Sequence, residues 1–277
     1  MNEEALAREG QTHLTACPAA KMPVGLQLYT LRQQLAEDFF GTLRRVRDIG
    51  YRAVETYPFP SHISPTDAAE VLKSLNLEVI AIHCDLPLGP ALPRIRDEAR
   101  ALSCSKIIWH GWPRSSEHDS IEGVRRLVAC YNAAHAAARD HGLEFGLHNH
   151  WWEFETINGV HPYRILHELL HPDIFLEIDT YWVRTAGLDP ASVIKELGCR
   201  VRFLHLKDGP AIHGHPMKAL GQGVLNFPGI LESVAPPVGL VIELDECEGD
   251  VFQAVERSLI YLTARQEGWS GAKPTVS

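Results

Sequence analysis

Polar residues, many of them histidine or acidic, recur in this sequence at the ends of short apolar segments rich in β-branched residues. Where a segment carries two of them, one position separates the two, so both side chains would lie on the same face of a strand. The residues concerned are Gln27, Tyr29, Glu55, Tyr57, His83, Asp85, His110, His148, His150, Glu177, Asp179, His205, Lys207, Glu243 and Asp245. Polar groups that point into a fold are costly to bury unless they are paired or bind something. Their recurrence predicts an active site rather than a set of hydrogen-bonded core residues.

Three of these residues, Asp179, His205 and Glu243, could hold a metal ion together with a fourth group from the fifth strand. Carboxylate and imidazole ligands suit Mn²⁺, Zn²⁺ or Co²⁺ and, less well, Mg²⁺. No cysteine occupies these positions, which argues against a structural zinc site. Because the ligands lie on separate segments, the fold must bring them together.

The segments that must position these residues alternate regularly. We predict strands at residues 24–30, 53–57, 77–83, 106–110, 144–150, 174–180, 202–207 and 239–245, and helices at 38–49, 65–75, 91–102, 120–141, 162–170, 190–197, 227–234 and 250–265. This alternation favours right-handed βαβ units and a parallel sheet. Eight units predict an α/β fold of one (β/α)8 TIM barrel, whose active site lies at the carboxyl ends of the strands. A doubly wound open sheet is disfavoured because the sequence has neither GxGxxG after the first strand nor GxxxxGK[ST].

The length of 277 residues is compatible with one barrel domain. We expect a loosely ordered N-terminal extension over residues 1–21, the barrel over 22–268 and a C-terminal tail over 269–277. The 26 basic and 35 acidic residues give a net charge of −9, which argues against nucleic-acid binding.

Neither a membrane span nor secretion is indicated by the sequence. It contains no apolar run of about 18 residues. Its N-terminus lacks the basic and apolar regions of a signal peptide. The six cysteines are scattered without a CxxC pair, which favours free thiols in a reducing compartment. We therefore expect a cytoplasmic protein.

Several segments, in this order, resemble the xylose isomerase-like barrel superfamily, and in particular its sugar phosphate isomerase/epimerase family. The resemblance covers nearly all of residues 22–262. The matching segments are VGLQLYTLR (24–32), IGYRAVETY (49–57), LHNHWWEF (147–154), EIDTYWVRTAGLDP (177–190), FLHLKDG (203–209), LGQGVLNFPGIL (220–231) and VIELDE (241–246). Each segment alone is weak, but LHLKD followed by LGQG is typical of the family, though of no particular substrate.

This resemblance implies one divalent metal ion, with Mn²⁺ favoured, that binds vicinal oxygens of a sugar or polyol. Position by position, Asp179, His205 and Glu243 match the family's ligands from strands six, seven and eight. The fifth-strand ligand is usually a glutamate, and His148 stands at that place here. Glu153, five residues further on, is the alternative ligand.

Three residues are candidates for proton transfer: His150, Glu153 and Lys207. His150 could act as a general acid and base, or could form a hydrogen bond to a loop carbonyl. Lys207 could stabilise a developing alkoxide, or could form an ion pair with Glu177 or Asp245.

Substrate contacts are predicted for Glu55, His83, His110, Trp112 and Trp182. For the first three, a buried polar network is the alternative. The tryptophans could stack on a sugar or form an oligomer contact. The LGQG loop could bind phosphate, although two glycines without a lysine are weak support.

These residues predict a metal-dependent isomerase or epimerase of a sugar, keto-sugar or inositol-like polyol, which moves a proton next to a carbonyl through an enediolate. Loss of a β-substituent from the same intermediate would instead make the protein a lyase, either a dehydratase or a β-eliminase on a keto-sugar or keto-inositol. A non-catalytic barrel subunit and an AP endonuclease are less favoured. The expected partner is a small carbohydrate, and a homo-oligomer is compatible with the sequence.

Overall fold

The computed structural model describes residues 24–234 and 237–269. The predicted extension over residues 1–21 lies outside the described residues, as does all of the predicted tail except Trp269. No helix in the described part of the chain is long and apolar enough to cross a membrane.

Eight parallel strands close into a barrel in the order of the sequence, and β8 pairs with β1. The strands are β1 Val24–Gln27, β2 Ala53–Thr56, β3 Glu78–Cys84, β4 Lys106–Trp109, β5 Glu144–His148, β6 Phe175–Asp179, β7 Val201–Leu206 and β8 Gly239–Ile242. The predicted (β/α)8 barrel is thus confirmed.

Helices surround the barrel and bury its outer face in one large apolar core. The α-helices of the described residues are α1 Arg32–Glu37, α2 Phe39–Ile49, α3 Pro65–Ser74, α4 Ala91–Ala101, α5 Ile121–Arg139, α6 Pro162–Leu169, α7 Thr180–Thr185, α8 Pro190–Leu197, α9 Phe227–Ser233 and α10 Val251–Trp269. Short 3₁₀ helices span Leu28–Leu31, Ser116–Asp119 and Gly198–Arg200.

Several strands end earlier than the apolar pattern predicts. The side chain of Gln27 accepts a hydrogen bond from the Tyr29 N–H, and the 3₁₀ helix begins there. Asp179 likewise caps the first turn of α7. A buried polar side chain at the strand end therefore caps a short helix that begins directly after the strand, which the alternation of strands and helices does not predict.

A compact apolar group, here called the lower layer, fills the barrel interior toward the amino ends of the strands. Its members are Ala53, Ile80, Ala81, Ile108, Phe175, Phe203 and Val241. The rings of Phe175 and Phe203 lie 5.8 Å apart. Gly146 makes room for them, since a Cβ at this position would lie 2.2 Å from the Phe175 ring. The next inward residues along these strands are polar.

Candidate active site at the carboxyl ends of the strands

A pocket of about 580 Å³ lies at the carboxyl ends of the strands. Most of the predicted site residues line it: His83, His110, Trp112, His148, His150, Trp182, Lys207 and Glu243. The remaining ones, Glu55, Glu153, Asp179 and His205, are buried and do not line the pocket. The structure therefore places the predicted residues either at this pocket or behind its walls.

Four buried residues form what we call the metal group: His148, Asp179, His205 and Glu243. Each offers one ligand atom, and these atoms lie within 4.8 Å of one another. His205 Nδ1 is 2.7 Å from Glu243 Oε2, and His148 Nε2 is 3.8 Å from Asp179 Oδ2. Two imidazoles and two carboxylates fit Mn²⁺, Zn²⁺ or Co²⁺. This buried group could bind a metal ion.

Asp179 is fixed by the chain around it. Its Oδ1 accepts the backbone N–H groups of Tyr181 and Trp182 at 2.9 and 3.0 Å, as the cap of α7. Its own N–H donates to Asn149 Oδ1 at 2.9 Å. Among the described residues, Oδ2 has no hydrogen-bond partner of suitable geometry, and its contact with Lys207 Nζ at 2.9 Å is an ion pair. One carboxylate oxygen thus holds the backbone while the other faces the metal group.

Glu55 and Glu177, here called the carboxylate pair, lie completely buried beneath the metal group. His83 Nε2 is 2.6 Å from an oxygen of each carboxylate. Gln27 Nε2 donates to Glu55 Oε1 at 2.7 Å. For Glu55 and His83, the predicted alternative of a buried polar network therefore describes their contacts, although His83 also reaches the pocket floor.

The carboxylate pair also contacts the two histidines of the metal group. His205 Nε2 lies 3.1 Å from Glu55 Oε1 and from Glu177 Oε2, and His148 Nδ1 lies 3.0 Å from Glu177 Oε2. Each ring therefore directs one nitrogen to the pair and the other toward the metal group. A proton on the lower nitrogen leaves a lone pair on the upper one, and this arrangement orients histidine ligands in many metal sites.

Two buried histidines of this region, His83 and His205, are positively charged. Burial alone would lower the pKa of His83, but Glu55 and Glu177 raise it to about 9. In His205, the carboxylates of Glu177, Glu243 and Glu55 also outweigh burial, and they raise the pKa well above its usual value. The two rings thus carry protons that balance the carboxylate pair. A bound divalent ion would displace protons from this region, because ligands must be deprotonated.

Lys207 lies among three carboxylates and is almost completely buried. Its Nζ is 2.9 Å from Asp179 Oδ2, 2.8 Å from Glu243 Oε2 and 2.8 Å from Asp245 Oδ1. Burial lowers its pKa, but these carboxylates raise it by more, so the ammonium stays charged. Of the two ion pairs considered from the sequence, the structure contains the one with Asp245.

His150 lies at the pocket wall, in the turn that follows β5 rather than on the strand itself. Its ring stacks on Trp152 with a centroid distance of 4.2 Å and an angle of 8°. The ring of His148 lies 5.3 Å away and is nearly perpendicular. Burial, reinforced by the charge of Lys207, lowers the pKa of His150 well below its usual value. The imidazole is therefore neutral near pH 7.

Glu153 does not reach the pocket. Its Oε2 accepts the backbone N–H of His150 at 2.9 Å, and its Oε1 lies 3.5 Å from His118 Nε2. The residue thus holds the turn that presents His150. Of the two fifth-strand candidates for a metal ligand, the structure places His148 in the metal group and Glu153 behind it.

Aromatic side chains form much of the pocket wall. Trp112 is 55% exposed at the mouth, and its backbone N–H donates to His110 Nδ1. Trp182 is buried with its ring 5.4 Å from Lys207 Nζ. Trp151 and Tyr57 complete this surface. Such rings present apolar faces on which the C–H groups of a sugar can pack.

The sequence places Glu177 among the polar strand-end residues but indicates no role of its own for it, and it gives no indication of Asp208. Because Glu177 precedes Asp179 by two positions, the two side chains lie on the same face of the strand, and this spacing indicates that Glu177 also points into the barrel. Asp208 is completely buried, and its carboxylate accepts backbone N–H groups of Gly209, Gly221 and Gly223. These glycines lie in the KDG and LGQG segments, whose spatial contact the sequence does not reveal.

Comparison with known proteins gives a consistent fold assignment. The family model of the xylose isomerase-like TIM barrel matches residues 43–237. No curated protein gives a significant sequence match. A sugar phosphate isomerase/epimerase from Parabacteroides distasonis has a similar structure, with a TM-score of 0.71 and 22% identity over 87% of this chain and 98% of that chain.

Two further solved structures illustrate the range of activities on this fold. An L-ribulose 3-epimerase aligns with a TM-score of 0.68 and 16% identity, over 92% of this chain and 100% of its own. The probable 3-DHS dehydratase AsbF of Bacillus anthracis aligns with a TM-score of 0.67 and 16% identity, over 87% of this chain and 99% of its own. At such identities the likeness establishes the fold alone.

Proposed function

The chain belongs to the xylose isomerase-like TIM barrel family, and from this we propose that it is a metal-dependent isomerase or epimerase of a sugar, keto-sugar or inositol-like polyol. The observation that carries the proposal is the convergence of His148, Asp179, His205 and Glu243 beneath a pocket walled by His150 and indole rings. Structural similarity to sugar isomerases and epimerases supports it.

The metal group would hold one divalent ion, with Mn²⁺ as our first choice. When bound, such an ion polarises a carbonyl and a neighbouring hydroxyl oxygen as a Lewis acid. Lys207 keeps the Asp179 and Glu243 carboxylates in place and balances part of their charge. The carboxylate pair orients the two histidines from below.

His150 is the proposed base. Its neutral imidazole removes the proton from the carbon next to the carbonyl, and the resulting imidazolium returns it to another carbon or to the other face. The Trp152 ring restricts the orientation of the imidazole, and Glu153 fixes its backbone. The indoles exclude water from the enediolate and pack against the sugar.

A lyase is the second candidate. If the substrate carries a leaving group β to the carbonyl, the same proton removal leads to elimination instead of proton return. Similarity to a probable dehydratase favours keeping this alternative. A non-catalytic barrel subunit is less compatible with the complete metal group. An AP endonuclease is less compatible with a net charge of −9.

The first experiment is metal analysis of the purified protein together with its Asp179→Ala and His205→Ala variants. We expect about one equivalent of a divalent transition metal in the wild type and loss of that metal in both variants. Full metal content in the variants would refute the ligand assignment. A panel of keto-sugars in deuterated water, followed by NMR, then separates exchange at the carbon next to the carbonyl from elimination.

We also propose a cytoplasmic location. Support comes from the cysteines of the described residues, Cys84, Cys104, Cys130, Cys199 and Cys247, which are all free thiols. Fractionation of the native cells would test it.

A further inference from the structure

We propose that the protein has a second metal site, which binds Zn²⁺ through His135, His171 and Asp173. His135 lies on α5, which leads into β5, and the other two lie in the loop that leads into β6, so the site is at the amino ends of these strands. The three side chains each offer one ligand atom, and these atoms lie within 4.8 Å of one another. Among the described residues, no other group of this kind lies outside the barrel mouth. None of the three lines the pocket, and the inference is independent of the proposed function.

His135 is buried without the hydrogen bonds that a buried histidine needs. The residue is 5% exposed and belongs to the buried face of α5. Within the described part of the chain, neither its Nδ1 nor its Nε2 has a hydrogen-bond partner. By contrast, His83 and His205 each direct a ring nitrogen to a carboxylate. A buried polar atom without a partner costs free energy, and a metal ion on one nitrogen of His135 would remove that cost there.

His171 places a second imidazole against the first. Its ring stacks on that of His135 with a centroid distance of 4.5 Å and an angle of 27°. The loop is held to α5, because the His171 N–H donates to Asn132 Oδ1 at 2.7 Å. Arg200 Nη1 donates to the His171 carbonyl oxygen at 3.2 Å. The backbone therefore fixes the two rings side by side, and an ion would not have to order the loop.

Asp173 completes the group from the solvent side. Its side chain is 73% exposed, and its Oδ2 lies 3.8 Å from His171 Nδ1. The same nitrogen accepts the Asp173 N–H at 3.2 Å, so it carries a lone pair rather than a proton. Ligand atoms of a tetrahedral zinc ion lie about 3.3–3.6 Å apart. A small rotation of the exposed carboxylate would therefore close the group around an ion, which would replace the hydrogen bond to Nδ1.

The ligand set selects the ion. Two imidazoles and one carboxylate suit Zn²⁺, with a water molecule as the fourth ligand. Ca²⁺ and Mg²⁺ prefer oxygen ligands, and Mn²⁺ is the weakest binder of the divalent first-row series. Because this site has three protein ligands and one of them is exposed, it binds more weakly than the metal group. We expect it to lose its ion during purification and to refill when Zn²⁺ is supplied.

Equilibrium dialysis at about pH 8, above the usual pKa of imidazole, tests the proposal. Free Zn²⁺ is buffered at about 10 μM, which fills a site with a dissociation constant of about 1 μM. We expect about two equivalents of Zn²⁺ in the wild type, about one in His171→Ala, about one in Asp179→Ala and none in the double variant. His135→Leu keeps the face of α5 apolar and should behave as His171→Ala does. His62→Ala, which removes an exposed histidine elsewhere, is the matched control and should keep both equivalents.

The two single variants separate this proposal from the proposed function. A single wild-type equivalent that Asp179→Ala removes and His171→Ala keeps would overturn the second site and leave the metal group intact. A single equivalent that His171→Ala removes and Asp179→Ala keeps would support the second site and contradict the metal group. Two equivalents in His171→Ala would also overturn the proposal.

Thermal unfolding tests whether the ion joins α5 to the loop before β6 in the folded protein. In Asp179→Ala, which lacks the metal group, the same Zn²⁺ concentration should raise the unfolding midpoint by about 2–5 °C, because the ion binds the folded chain. Adding His171→Ala should abolish this rise. An equal rise in both proteins would mean that Zn²⁺ binds elsewhere, and it would overturn the proposal.

Discussion

The two halves of the barrel interior, built by the same eight strands, are chemically opposite. The lower layer is apolar, with Phe175 and Phe203 at its centre. Two positions further along the same strands stand Glu177 and His205, both completely buried. Apolar packing stabilises the fold, whereas burying ionised groups costs free energy even when they are paired. The lower layer therefore stabilises the barrel, whereas the polar half costs stability and has the side chains that the proposed chemistry needs.

The largest expected effect is on catalysis. His150→Ala should lower kcat by about 10²–10⁴, because it removes the proposed base, while metal content and thermal stability stay close to those of the wild type. Kinetics on the substrate found in the deuterium screen, with metal analysis of the same sample, provide the check. His215→Ala, at the pocket rim, serves as the matched control. A similar loss in both variants would remove His150 from the mechanism.

The second prediction is that a substitution in the lower layer lowers the stability of the fold but leaves metal binding nearly unchanged. Phe175→Ala should lower the free energy of unfolding by about 3–5 kcal/mol, because it leaves a cavity in the lower layer. Urea denaturation measures this loss. Titration with Mn²⁺ under native conditions should show a binding constant within a few-fold of the wild type for the folded molecules. If metal affinity falls as steeply as stability, the two halves do not act independently.

Third, the carboxylate pair should matter for metal binding although it is outside the metal group. Glu177→Gln removes the carboxylate that accepts from His148 and His205, and it should weaken metal affinity by about 10–100-fold. Calorimetric titration with Mn²⁺ gives this number directly. Glu144→Gln, on the exposed start of β5, is the control. An unchanged affinity for Glu177→Gln would mean that the pair only balances charge.

The smallest effect concerns a buried carboxylate in neither half. Burial raises the pKa of Glu98 on α4 to about 7, against an opposing effect of Arg94. The folded state therefore holds this proton at pH values where the unfolded chain has released it. The resulting stability is fully present below the unfolded pKa and is lost as pH rises through about 7.

Glu98→Gln should consequently raise the free energy of unfolding at about pH 8 by about 1–3 kcal/mol and have little effect at about pH 4.5. Urea denaturation across this range compares it with Glu70→Gln, an exposed control on α3. Equal pH dependence in the wild type and Glu98→Gln would show that this carboxyl is not responsible.

The fold could be predicted from the sequence because eight apolar segments alternate with helical ones, and the same-face spacing of pairs such as Glu177 and Asp179 located the polar half. The 3₁₀ helix Leu28–Leu31 and the short helix α7 could not, since each begins where a side chain caps the chain at the end of a strand. The position of Glu153 depends on the turn after β5, and that turn is set by contacts with distant residues such as His118.

The Asp208 contacts have a consequence for how this protein would meet a ligand. One carboxylate gathers N–H groups from residues spread between Gly209 and Leu225, so the rim after β7 takes its shape during folding. The loop therefore loses its conformational entropy when the protein folds, and binding of a sugar does not have to order the loop. Association should accordingly resemble docking to a preorganised surface, with little backbone rearrangement on this side of the mouth.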